Sequence, residues 1–468
     1  MLSTDTSIQF LSNFECSNIG EVHRKSEWEY DIYIRPDPKF NAKGPALWFY
    51  FGVSAPLPST MVLFNIIGQT KTRSNYRQGQ TPLVRTSTMF WSKVHPKNLF
   101  YYRCPQHDNT YVMSFLYKFS TTTVHQFAYS FPYTYSQLQL LLFSLMKLPS
   151  PTMSRSLLTR SLLLRRVDLL SSNPLPTSSI PYPTIFISAR SHPGETPSSI
   201  VMEGLLEYLF SPCSQRLRST CAIRVVPILN VDGVITGNYR ADLLGNDFNR
   251  VWDRGTDPSI FYSELVSPIK CFTDLVLSSI SDPLTFPAFA LDLHSHSQKS
   301  DCFLFGNSVE NEANLSHWDL SPTHKQRLVP DAKDDESNTQ FYLKFLPDDA
   351  TTFGKILDRK DKTFSMASCR FSSLYEPGST QGTQRKSFGK LLKPYCGHAQ
   401  TLEVSSGLSS GLEVSSSSDV LYNGSLPQFS YNAYKNLGWN VGFALDEYIY
   451  DKYSAKKCVR KFWQADET

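Results

Sequence analysis

Residues 185–209 read IFISARSHPGETPSSIVMEGLLEYL, and this stretch decides the fold. A β-branched, apolar run (Thr184 to Ile187) meets a Pro193-Gly194 turn. Thr196-Pro197 then offers an N-cap and a first helical residue, and Ile200, Val201, Leu205, Leu206 and Leu209 follow at helical spacing. Strand, turn and helix succeed one another, with His192 and Glu195 on the turn. A neutral imidazole and a carboxylate so placed can converge on one divalent cation, and zinc accepts the pair when a second histidine arrives from elsewhere.

Downstream, residues 225–252 read VVPILNVDGVITGNYRADLLGNDFNRVW and residues 289–305 read FALDLHSHSQKSDCFLF. Each apolar run ends in polar groups, so His192 and Glu195, then Asn249-Arg250, then His294 form an ordered set. On these residues the chain resembles the zinc metallocarboxypeptidases, specifically their cytosolic branch, whose members remove glutamates from protein C-termini or side chains. The phrases that carry the resemblance are SARSHPGETPSSIVMEGLLEYL, VPILNVDGVITGNYR, GNDFNRVW and DLHSHS.

At 468 residues the chain is long enough for two domains. With 46 Lys+Arg against 42 Asp+Glu the formal charge is +4, which argues against a nucleic-acid protein or a polybasic membrane binder. The nine cysteines are scattered and form no CxxC pair, as free thiols in a reducing compartment do. The N-terminus lacks the pattern of an export signal, and no apolar run approaches the roughly 20 residues of a membrane span. A soluble, cytoplasmic protein is expected.

From about residue 7 to about residue 125, short alternating segments rich in Phe, Tyr, Val and Thr, separated by turns, predict an all-β sandwich (1–125). Trp48, Phe49, Tyr50 and Phe51 read as its core. LSNFECSNIGEV, YIRPD and WFYFGVS resemble the β domain that precedes the catalytic domain in the cytosolic branch, and FPYTYSQLQ resembles the junction. Leu157 to Leu170 fits a helix or a strand pair. From Tyr182, strand-like runs alternate with helical ones, among them 259–280 and 430–453, which predicts a mainly parallel, mixed sheet with helices on both faces. That α/β domain spans 126–468. Asn307 to Lys362 is polar and short of apolar periodicity, and reads as an insertion or surface excursion.

Three ligands, His192, Glu195 and His294, leave a fourth zinc position open for water, as catalytic sites require, with one zinc per catalytic domain. Geometry alone leaves His296 open as well; the resemblance selects His294, the first histidine of DLHSHS. Asp292 is placed either to hold a ligand imidazole or to face solvent. The general base is a carboxylate near the metal. LEVSS occurs twice, at 402–406 and 412–416, offering Glu403 and Glu413; QTLEVSS follows a plausible strand entry and resembles the family's base segment, which favours Glu403.

A planar guanidinium beside an amide suits a free α-carboxylate, and Asn249-Arg250 is the candidate clamp. The resemblance assigns Arg240, in GNYR, to the oxyanion, a task worth about 3 kcal/mol per donor. It also assigns Arg385, in GTQR, to an acidic substrate side chain, although Gln384 stands where the branch has glycine. Tyr375 lies near the position of a family tyrosine but is not aligned with it. The resemblance implies cleavage of glutamate from peptide or protein tails such as polyglutamylated tubulin. Two alternatives stay open: a zinc-dependent hydrolase of N-acyl amino acids, and a catalytically impaired, zinc-loaded binder of acidic tails.

Overall fold

Alternation of apolar and polar side chains puts every second residue of a strand on one face, so a chain of short alternating segments buries itself by stacking two sheets. The computed structural model describes residues 8–39, 46–69, 74–86, 90–149, 152–174, 181–252, 267–307, 349–374, 382–395, 397–412 and 426–453. In the N-terminal region, a first sheet runs in the order Gln9–Leu11, Tyr50–Ser54, His125–Ala128, Leu83–Arg85, Trp91–Lys93. A second runs Val22–Arg24, Glu29–Tyr33, Met61–Gln69, Thr110–Lys118, Leu99–Cys104. Phenylalanines join the two: Phe51 to Phe64 at 6.2 Å between ring centres, Phe64 to Phe127 at 5.3 Å, Phe115 to Phe127 at 5.5 Å. All four are wholly buried. At roughly 2 kcal/mol per buried ring, packing accounts for these aromatics.

His125–Ala128 pairs with Tyr50–Ser54 and Leu83–Arg85. The expected boundary at residue 125 therefore falls too early, because the last strand of the sandwich lies beyond it. The helix Tyr135–Met146 comes next, opened by a capping box: Thr134 Oγ1 accepts from the Gln137 amide and Gln137 Oε1 from the Thr134 amide.

Leu157 to Leu170 forms the strand pair, Ser154–Arg160 with Arg166–Ser172, at one edge of an eight-stranded sheet. The order continues Ala222–Val226, Tyr182–Ala189, Thr285–His296, His398–Ser405, Phe303–Asn307, Arg370–Ser372. The four inner strands from Ala222–Val226 to His398–Ser405 are mutually parallel, and the outer strands make the sheet mixed. Neighbours in register share a face. Phe289, opposite Ile185, meets Phe353 and Tyr448, whereas Phe186, one position on, meets Phe272. Helices Thr352–Lys360 and Tyr431–Tyr453 thus cover one face and helix Pro268–Ser281 the other. Burial on both sides explains why these strands read as continuous apolar runs.

Two further expectations need correcting. Asn307 closes a strand, and Thr352–Lys360 is a helix burying Phe353, Ile356 and Leu357, so the excursion does not extend to Lys362. Residues 308–348 lie outside the described residues. Thr196 stands at the N-cap position of helix Pro197–Phe210 with helical dihedrals and makes no side-chain cap bond; Pro197 opens the helix as expected. Among the described residues no helix is long and apolar enough to cross a membrane.

Candidate active site

The inner parallel strands end together, and the site gathers beyond their carboxyl ends. His192 and Glu195 come from the turn after Tyr182–Ala189, and His294 from the end of the neighbouring strand. Their ligand atoms lie within 4.8 Å of one another and all three residues are buried. His192 Nδ1 is 2.7 Å from Glu195 Oε1, His294 Nδ1 is 2.9 Å from Glu195 Oε2, and the two Nδ1 atoms are 3.2 Å apart. Two nitrogens bound to one tetrahedral zinc lie about 3.3 Å apart, so the donor set fits that ion.

The outer nitrogens support the same assignment. His192 Nε2–H donates to Asp247 (3.0 Å) and His294 Nε2–H to Asp292 (2.6 Å), which leaves Nδ1 of each ring as the inward-facing donor. Ser188 Oγ donates to Asp292 (2.9 Å) and accepts from Nε2 of the buried Gln384 side chain (2.7 Å). The residue that departs from the branch pattern is therefore packed behind a ligand. His296 turns away, with Nε2 bonded to the Asp301 carbonyl at 3.0 Å.

Arg190 sits beneath the turn, 1% exposed with φ +58°, and donates to the carbonyls of Pro193 and Tyr133 and to Ser199. Glu195 also accepts from the Ser295 amide (2.9 Å). Burial alone would lift its pKa, but His192 and His294 more than reverse this and hold it well below the usual carboxylate range.

Glu403 lies opposite His294 in the parallel pair. Among the described residues no hydrogen bond or ion pair reaches its carboxyl. Burial, reinforced by Glu195, raises its pKa to about 7 against the opposing pull of His294. Glu413 and Tyr375 lie outside the described residues. The chain leaving Glu403 is pinned by Asp301, which accepts from Ser409 Oγ (2.6 Å), the Ser410 amide (2.7 Å) and Ser410 Oγ (2.9 Å).

Arg240 donates from Nε to Asp247 (2.6 Å). Burial pulls its pKa down, and Asp247 with Glu195 raises it by more. Asp247 thus serves His192 and Arg240 at once, and its other role, capping the Asn249 amide at 2.9 Å, orders the Asn249-Arg250 pair. Sequence reasoning missed it, although it lies in the quoted GNDFNRVW phrase. Asn249 Oδ1 accepts from the Gln384 amide (3.1 Å), and the Arg250 side chain is exposed. Gly382 has φ +72°, and a Cβ there would come within 2.2 Å of the Arg250 carbonyl, so glycine lets GTQR lie against FNRVW. Arg385 is held by the Gly306 carbonyl (3.0 Å) and Asn307, and among the described residues no carboxylate pairs with it.

The architecture is that of the metallocarboxypeptidases: a metallo-carboxypeptidase from Burkholderia cenocepacia superposes over 95% of this chain and 99% of its own, with TM-score 0.69 and 17% identity. Residues 155–311 match the zinc carboxypeptidase family. Cytosolic carboxypeptidase 6 of Homo sapiens is 39% identical over 322 residues, 67% of this chain and 62% of the relative. Cytosolic carboxypeptidase 6 of Caenorhabditis elegans is 33% identical over 404 residues, 85% of this chain and 78% of the relative. The chain belongs to the cytosolic carboxypeptidases within the zinc carboxypeptidase family.

Proposed function

We propose that this chain is a zinc-dependent carboxypeptidase that removes C-terminal residues, glutamate above all, from peptide or protein tails such as polyglutamylated tubulin. The observation that carries the reading is the contrast between a buried, carboxylate-backed His-Glu-His set and Glu403 beside it, whose carboxyl no hydrogen bond or ion pair reaches among the described residues. Zinc, when bound by His192, Glu195 and His294, supplies Lewis acidity that polarises a carbonyl and acidifies water.

The chain's own groups do the rest. Arg250 and Asn249 hold the substrate's terminal carboxylate. Glu403 takes the proton of the attacking water and passes it to the leaving amine, for which a pKa near neutrality is suited. Arg240, steadied by Asp247, offers its guanidinium to the oxyanion. Arg385, with which no carboxylate pairs among the described residues, offers its charge to the glutamate side chain. The relatives' names speak of the cytosol, and we take the same compartment for this chain.

The test is release of free amino acid from a peptide ending in several glutamates, with and without chelator, beside a matched peptide ending in leucine. Chelator-sensitive release from the acidic peptide alone is expected. Release from the leucine peptide instead sinks the role of Arg385, and release from neither, with zinc bound, sinks the peptidase. An N-acyl amino acid cleaved in preference to both peptides would make the chain an acylase.

A further inference from the structure

We infer that Asp37, a residue of the β sandwich, is a positioning residue for the reaction proposed above, fixing the backbone that carries Arg240. The inference rests on that reading of Arg240 and deepens it.

Asp37 is 3% exposed, and its carboxylate accepts from three consecutive backbone amides of the other domain: Tyr239 (2.7 Å), Arg240 (2.6 Å) and Ala241 (2.7 Å). Among the described residues no side-chain cation pairs with it. A carboxylate withdrawn from water persists where amides replace the lost solvent, and three such bonds hold residues that belong to neither helix nor strand.

The preceding residues are already docked without Asp37. The Cys16 amide donates to the Ile235 carbonyl (3.0 Å), and Asn18 Nδ2 to the Gly237 carbonyl (2.8 Å). Gly237, at φ +74°, passes so close under Ser17 that a Cβ would lie 2.1 Å from its carbonyl oxygen. Adhesion of the two domains is thus provided for, and Asp37 adds a hold on the three residues centred on Arg240. From the other side, Asp247 grips the Arg240 side chain and His192, while the Tyr239 carbonyl accepts from the Gly194 amide of the ligand turn at 2.8 Å. Arg240 is held by its main chain from one domain and by its side chain from the other.

Asparagine at position 37 keeps the shape but replaces one acceptor by an N–H₂ that faces amide donors. Displacing a charge-stabilising group by about an ångström costs on the order of 10- to 100-fold. Asp37→Asn is therefore expected to lower kcat by that factor, with KM and zinc content unchanged. It should weaken a phosphinic-peptide transition-state analogue in proportion to kcat while leaving a product-like C-terminal peptide bound as before. Arg240→Ala and the double variant complete a cycle in which Asp37→Asn costs little once Arg240 is gone.

An active Arg240→Ala enzyme would overturn the reading of Arg240 itself. An impaired Arg240→Ala with Asp37→Asn like wild type, or losses that multiply in the double variant, would overturn the role of Asp37 alone. Should Asp37→Asn not fold, hydrogen exchange on the wild-type protein decides. The amides of residues 239–241 are expected to be as protected as those of the adjoining strands, and rapid exchange there refutes the inference.

Discussion

Glu195 and Glu403 are the same residue type on either side of the His294 strand, yet their surroundings drive them apart. Glu195 is met by two imidazoles and a backbone amide and stays ionised. Among the described residues no hydrogen bond reaches the Glu403 carboxyl, and burial, outweighing the pull of His294, pushes it to about 7. The difference teaches that burial does not set a carboxyl's role; the donors aimed at it do. In the reaction proposed above, the first carboxylate holds the cation and the second exchanges the proton.

The comparison breaks most visibly at the ligand. Glu195→Ala is expected to abolish zinc binding and lower glutamate release by about 10³-fold or more, and metal analysis finding a full complement of zinc in that variant would contradict it. At the other carboxylate, Glu403→Gln should keep its zinc and lose about 10²- to 10⁴-fold in kcat. An active Glu403→Gln beside a dead Glu413→Gln would move the base to the second LEVSS copy.

One step out, Asp292→Asn should weaken zinc by about 10- to 100-fold in a competitive chelator titration. Asp247→Asn should do the same and also lower kcat at saturating zinc, because Asp247 holds Arg240 as well; equal phenotypes for the two aspartates would deny that second role.

The smallest effect is thermodynamic and belongs to the metal-free protein. Glu403 is higher in the folded chain than its ordinary 4.5, so its ionisation costs nothing at low pH and opposes folding increasingly as pH rises through about 7. Glu403→Gln should therefore stabilise the metal-free chain by roughly 2 kcal/mol at pH 8, fading by pH 5. Glu195 is depressed, so its ionisation favours folding above the ordinary value and that support is lost as pH falls below it. Glu195→Gln should lower the metal-free melting temperature at pH 8. Melts of both variants with chelator check the opposite signs.

Much of this was legible in the sequence because the ligands lie where apolar periodicity stops. His192, Glu195 and His294 each come after a run whose pattern marks a buried strand, and strand ends are where such sheets bind ligands. The groups that escaped act across the fold. Asp247 shows no periodic signal and reaches His192 over 55 residues of sequence. Asp37 reaches Arg240 over 203, in a phrase, YIRPD, legible only as a piece of a β domain. The helix Thr352–Lys360 was hidden by its brevity: Phe353, Ile356 and Leu357 have helical spacing, but nine residues at the end of a long polar stretch give too short a pattern. Gln384 looked like a mismatch because the sequence does not reveal that Ser188, itself bonded to Asp292, waits to receive it.

The clamp at Asp301 carries a consequence for how this chain tolerates change. By binding Ser409 and Ser410 it anchors the main chain just downstream of Glu403. A residue added or deleted beyond that anchor alters the length of the downstream chain while Ser409 and Ser410 stay held. The second LEVSS begins two residues after the anchor, so a change of length there leaves the Asp301 hold on Ser409 and Ser410 in place.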